Sequence, residues 1–119
     1  LGLTDFVTFL GDCNNIPQLL EQVDVLCMPS LFEGLPIVTV EAQSAGVPCV
    51  VSDTITREIN ITDSVAFLSL ADAPTIWAKE LLRQKGKQKP DNRDKVAKHG
   101  YDISATIQQL QLFYLSHEN

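Results

Sequence analysis

Short apolar runs alternate along this chain with stretches whose apolar residues recur every three or four positions. The runs Val7–Leu10, Val25–Met28, Cys49–Val51 and Val65–Leu70 read as strands. The stretches between and after them predict helices over about Asn15–Gln22, Pro36–Ala45 and Pro74–Lys85, a more polar one over Asp91–His99 and a last one over Ile103–Leu115. Asn14 or Asn15 with Pro17 opens the first helix, Gly46 and Pro48 close the second, and Asp72 is placed to cap the third. Asp53–Asn60 reads as a loop with a short helical turn. Ile76, Trp77, Leu81 and Leu82 form the expected inward stripe of the third helix. Ile107, Leu110, Gln111 and Tyr114 line one side of the last, which needs a surface to cover. Strands separated by helices imply an α/β fold, a parallel sheet of about four strands with helices on both faces. The expected organisation is a single domain, with a β/α core over 1–70 and C-terminal helices over 71–119.

One residue breaks the pattern. On a helix over Pro36–Ala45, a step of about 100° per residue puts Ile37, Val38, Val40, Ala42 and Ala45 on one broad arc with Glu41 in its middle, and Thr39 and Gln43 opposite. An unpaired buried carboxylate costs on the order of several kcal/mol, so Glu41 needs a partner. A protein hydroxyl, Ser30 or Ser44, is one reading and a ligand the other; spacing alone leaves both open. Glu33 is also open to a bland reading, as a carboxylate near a helix N-terminus worth about 0.3–1 kcal/mol. In parallel sheets ligands sit at the carboxyl ends of strands, where loop 29–35 falls. The amides of Gly34 and Leu35 belong to the positive end of the following helix and are suited to a phosphate or a sugar hydroxyl. Glycine permits close approach, and Pro36 at the helix start forfeits no needed hydrogen bond.

Composition narrows the classes. A chain of 119 residues, 45% apolar, is large enough for one core. It holds no apolar run of membrane-spanning length and no signal-peptide pattern, so a soluble, cytoplasmic protein is expected. Cys13, Cys27 and Cys49 lack CxxC spacing and are expected to be reduced, buried thiols. His99 and His117 lack metal-site spacing, and no metal is expected. The net charge of -6 hides an asymmetry, because Arg57 is the sole cation before Lys79, while Lys79–Lys98 contains the other Lys and Arg residues. The acidic part argues against nucleic acid. The basic stretch is a solvated helix and loop or, more pointedly, a contact for an anionic membrane surface.

Phe9-Leu10-Gly11, Asp24-Val25, Pro29-Ser30-Leu31-Phe32-Glu33-Gly34-Leu35-Pro36, Glu41-Ala42, Ala45-Gly46-Val47-Pro48 and Ser52-Asp53 together resemble the donor domain of group 1 (family four) retaining glycosyltransferases of the two-Rossmann-domain GT-B type, most of all those building capsular or exopolysaccharide. The resemblance is close over about residues 5–60 and looser beyond. It implies an incomplete Rossmann-like, nucleotide-sugar-binding domain that is inactive alone, with no cofactor and a nucleotide-diphosphate sugar, a UDP-sugar by expectation, as donor. It further implies that Glu33 faces the donor sugar at the reacting end and that Gly34 and Leu35 amides hold sugar hydroxyls or diphosphate. Glu41 would accept hydrogen bonds from the ribose diol, and Ser30 and Pro36 would lie along the substrate site. The acceptor, a polysaccharide or lipid-linked saccharide, would be held by an N-terminal domain, with peripheral contact at the inner face of the cell membrane.

The chain departs from the family pattern in two places. The family's Arg/Lys pair has no counterpart here, since no cation precedes Arg57, so residue 1 is expected to fall mid-domain. Where relatives carry Gly-Gly before a glutamate, this chain has Thr54-Ile55-Thr56-Arg57-Glu58. Arg57 is then either a phosphate contact or half of a surface ion pair. Two alternatives stand beside the transferase: a non-catalytic protein-association domain, and another GT-B enzyme such as a sugar-nucleotide epimerase or a phosphorylase.

Overall fold

Three parallel strands carry the fold: β1 (Leu26–Met28), β2 (Cys49–Ser52) and β3 (Val65–Leu68), hydrogen-bonded in the order β1-β2-β3. Leu26 stands opposite Cys49, which stands opposite Val65. The computed structural model describes residues 1–117. The helices are α1 (Ile16–Gln22), α2 (Ile37–Ser44), α3 (Pro74–Gln84), the short α4 (Arg93–Val96) and α5 (Ile103–Ser116), with a 3-10 turn at Arg57–Ile59. The doubly covered α/β sheet is therefore present, with three strands in place of four.

Alternation along β2 assigns its two faces. Cys49 and Val51 join Leu20 of α1, Ala42 of α2, Val47, Ile55 and Ile59 in the main core. On the other face Cys27 lines a cavity of about 370 Å³ with Trp77 and Leu81 of α3. Every residue of β2 is buried, as befits a central parallel strand.

Several expectations are corrected. Val7–Leu10 forms no strand and is exposed, because no neighbouring strand offers it a hydrogen-bonded ladder. Cys27 is exposed on β1, not buried; Cys49 is fully buried, and burial pushes its thiol up to about 12. Ile76 and Leu82, expected inward on α3, are 44% and 69% exposed, while Gln84 is buried. Asp72 does not cap α3 but accepts the Ser69 amide at 3.2 Å, and Trp77 Nε1 donates to the Ser69 carbonyl at 3.1 Å. The polar helix expected over Asp91–His99 is cut to Arg93–Val96, followed by a widened turn through Tyr101 in which Gly100 has φ 93°.

The end of α2 is built as a Schellman motif: Val47 N–H donates to Ala42 O at 2.8 Å and Gly46 N–H to Gln43 O at 3.0 Å. Gly46 has φ 76°, and a Cβ there would stand 2.2 Å from the Pro90 carbonyl oxygen. Glycine is needed at this position for backbone conformation and for space. The linker 85–92 is tied down beside it: Asn92 Nδ2 donates to Gln43 O at 3.1 Å, and Lys89 Nζ donates to the carbonyls of Glu21 and Val23.

Candidate functional site

The loop after β1 carries the first glutamate. Ser30 Oγ donates to Glu33 Oε1 at 3.0 Å, and both residues are half-buried. The Ser30 carbonyl in turn accepts from Ser52 Oγ at the end of β2 and from Thr54 Oγ1 at 3.1 Å. Ser30, one of the two serines considered as a partner for Glu41, thus serves Glu33. Gly34 and Leu35 are exposed and Pro36 is buried as the cap residue of α2. A Cβ on Gly34 would meet nothing within 4 Å, so no internal packing requires glycine there.

Glu41 does not lie in the core. Thr39 and Gln43, expected on the solvent side, are 0% exposed, and Glu41 is exposed. Two residues from each, at about 200°, Glu41 must point outward once those two point in. The inversion has a polar cause. Gln43 Oε1 accepts from Ile61 N at 3.0 Å and from Thr62 N and Thr62 Oγ1 at 3.1 Å, and its Nε2 donates to Thr39 O at 3.0 Å and Ile59 O at 2.6 Å. Thr39 Oγ1 donates to Pro36 O at 2.6 Å. Fully satisfied amide and hydroxyl groups are stable in the interior, so polarity at 39 and 43 marks structure and not surface. Apolar periodicity contains no signal for that.

Glu41 instead lines a groove of about 530 Å³ with Pro17, Leu20, Ile37, Val40 and Ser44 on one side and Tyr101 and Ile103 on the other. The groove is apolar apart from a few groups and falls within the size range of small-molecule sites. Ser30, Glu33, Gly34 and Leu35 do not line it; the two glutamates lie at opposite ends of the 33–41 segment, one in the loop and one on the helix. Tyr101 and Ile103, which sequence reasoning did not associate with the site, form its far wall.

Arg57 forms no ion pair among the described residues; its guanidinium lies 4.0 Å from the Phe67 ring centroid in a cation–π contact. Arg83 and Arg93 are held by Glu80 and Asp91, and Arg93 keeps the Asp91 carboxyl down at about 2. Among the described residues no group of three His, Cys, Asp or Glu side chains is arranged to hold a metal ion.

Comparison with known proteins adds the decisive observation: a family model described as "Glycosyl transferases group 1" matches residues 1–84. The chain belongs to the group 1 glycosyl transferases. This glycosyltransferase domain is 38% identical over 117 residues to the protein named as glycosyltransferase EpsF of Bacillus subtilis (strain 168), covering 95% of this chain and 30% of that protein. It is 45% identical over 53 residues to the UDP-Gal:alpha-D-GlcNAc-diphosphoundecaprenol alpha-1,3-galactosyltransferase of Escherichia coli, covering 44% of this chain and 14% of that enzyme. With the D-inositol 3-phosphate glycosyltransferase of Salinispora arenicola (strain CNS-205) it shares 35% over 89 residues, 70% of this chain and 19% of that enzyme. The domain thus spans about a third or less of the length of the curated relatives it matches. No solved structure matches it. Among the described residues no helix is long and apolar enough to cross a membrane.

Proposed function

We propose that this domain binds the nucleotide-diphosphate sugar donor of a retaining hexosyltransferase that extends a polysaccharide or lipid-linked saccharide, with a UDP-sugar as donor. The observation that carries the reading is Glu41, an exposed carboxylate in an otherwise mostly apolar groove, on the helix entered from the Glu33 loop. A ribose diol there donates two charge-assisted hydrogen bonds to Glu41, each worth about 1.5–3 kcal/mol. Glu33, held by Ser30, faces the donor sugar at the reacting end. The open side of Gly34 leaves room for sugar or diphosphate against the Gly34 and Leu35 amides, beside Ser30 and Pro36 in the loop and outside the Glu41 groove. Negative charge developing on the leaving diphosphate is stabilised by those amides at the positive end of α2. The acceptor is held outside this domain, which alone is inactive.

The test is a titration of the full-length enzyme with uridine and guanosine diphosphates. Binding of uridine diphosphate that weakens about 10-fold or more in Glu41→Ala is expected, from the loss of about 1.5 kcal/mol or more. Unchanged affinity in that variant would exclude the ribose role. No nucleotide binding, with a mass that rises with concentration, would favour a protein-association domain.

The same proposal places the enzyme in the cytoplasm, touching the inner face of the membrane through Lys79, Lys85, Lys87 and Lys98. These lysines form no ion pair among the described residues, whereas Arg83, Lys89, Arg93 and Lys95 are already engaged. Equal sedimentation with neutral and anionic vesicles would remove that part.

A further inference from the structure

The Ser30 carbonyl is the acceptor at the centre of a small hydroxyl cluster that ties the Glu33 loop to the sheet. Ser52 is the last residue of β2, fully buried and in register with Leu68, so its hydroxyl is as fixed as the sheet. That hydroxyl donates to Ser30 O. Thr54 Oγ1 lies 3.1 Å from the same oxygen and 3.0 Å from Ser52 Oγ. Each hydroxyl has one proton. Ser52 uses its proton on Ser30 O, and Thr54 gives its own either to the second lone pair of Ser30 O or to Ser52 Oγ. In both arrangements the Ser30 peptide is locked to the carboxyl end of β2. Ser30 Oγ, carried on that peptide, donates to Glu33 Oε1 at 3.0 Å.

We infer that Ser52 and Thr54 are positioning residues for the Glu33 carboxylate, acting through Ser30 without touching substrate. The inference rests on the proposed placement of Glu33 at the donor sugar. Its physical basis is preorganisation: a carboxylate aimed at a reacting centre is effective only if its carrier loop does not have to be ordered during the reaction. Leu31 and Phe32, 82% and 85% exposed, contribute little packing to hold this loop, so the hydroxyl cluster is its principal tether to the sheet.

The experiment uses the full-length enzyme. Turnover is followed as release of nucleoside diphosphate from UDP- and GDP-sugars, and the Glu33 side-chain rotamer distribution is read in the same variants from NMR scalar couplings. Ser52→Ala and Thr54→Val are each expected to lower kcat about 3- to 10-fold with donor KM held within about twofold, the size of one hydrogen bond to a carbonyl. Both should broaden the Glu33 rotamers. Thr54→Ser, which keeps the hydroxyl, should restore wild-type behaviour. In a Ser30→Ala background, where the side-chain link to Glu33 is already cut, Thr54→Val should cost clearly less kcat than in the wild type; a merely structural role would cost the same in both backgrounds. Unchanged kcat and unchanged Glu33 rotamers in Thr54→Val would overturn the inference. Glu33→Gln separates the two levels. If it slows turnover while Thr54→Val does not, only the positioning role falls; if it leaves turnover unchanged, the assignment of Glu33 falls.

Discussion

α2 and α5 are both rich in apolar residues, and they meet opposite fates. α2 buries Thr39, Val40, Ala42 and Gln43 against β2 and the 59–62 loop. α5, nearly twice as long and with a higher share of large apolar side chains, buries none of its residues, and leaves Leu110, Phe113 and Tyr114 all more than half exposed. The molecule is correspondingly long, 65 × 29 × 28 Å, with a radius of gyration of 17.2 Å against about 13.5 Å for a compact domain of this length. Burial follows from what a helix has beside it more than from its own hydropathy. A polar residue with complete hydrogen bonding goes inside, and a phenylalanine whose ring meets only Tyr114 and His117 of its own segment stays out.

The sharpest way to break the comparison is to remove the polar anchor of α2. Gln43→Leu strands the Thr62 amide and leaves the Ile61 N–H and the Ile59 carbonyl with only each other at 3.0 Å, and should cost about 3–5 kcal/mol in urea unfolding. A loss under about 1 kcal/mol would mean that apolar contact, not the amide, sets the orientation of α2. Next in size, Gly46→Ala forces a left-handed φ and a clash with the Pro90 carbonyl, for an expected cost of about 2–3 kcal/mol.

A smaller effect reports on the interior through pH. The buried Cys49 thiol has its pKa raised from 9.0 to about 12, so above pH 9 the unfolded chain ionises while the folded one holds its proton. Folded stability is therefore full below pH 9 and, at pH 10, about 1.4 kcal/mol lower, declining further as pH rises toward 12. Cys49→Ala should flatten that alkaline decline in urea midpoints. The smallest effect belongs to the other helix: Phe113→Ala should move stability by no more than about 0.5 kcal/mol, and a larger loss would show that α5 is covered in solution.

How far the site could be read from sequence differs between its parts. The loop–helix junction at Pro36 is visible, because glycine and proline chemistry is local and acts through φ and the missing N–H. So is the distinctiveness of Glu41, although for the wrong reason. The apolar wheel placed it in the core because Thr39 and Gln43 were counted as surface residues. The partners of Gln43, at 59–62, are some twenty residues away in sequence and invisible to any periodicity. The Ser52–Ser30 tether was likewise hidden, since it joins the ends of two strands that only sheet register brings together. Val7–Leu10 has a convincing strand pattern and forms none, because strand formation depends on a ladder partner as well as on side chains.

By itself, the sequence determined the elements whose causes are local: three strands, the helices punctuated by Pro17, Pro36 and Gly46, the α/β class that their alternation requires, and the motif that places the chain among group 1 glycosyl transferases. Tertiary structure alone decided which face of α2 is interior, that Ser30 serves Glu33, that Arg57 rests on Phe67, and that Tyr101 and Ile103 wall the Glu41 groove. Backbone propensity and turn chemistry act over a few residues, whereas burial and hydrogen-bond satisfaction depend on groups that meet only after the chain has folded.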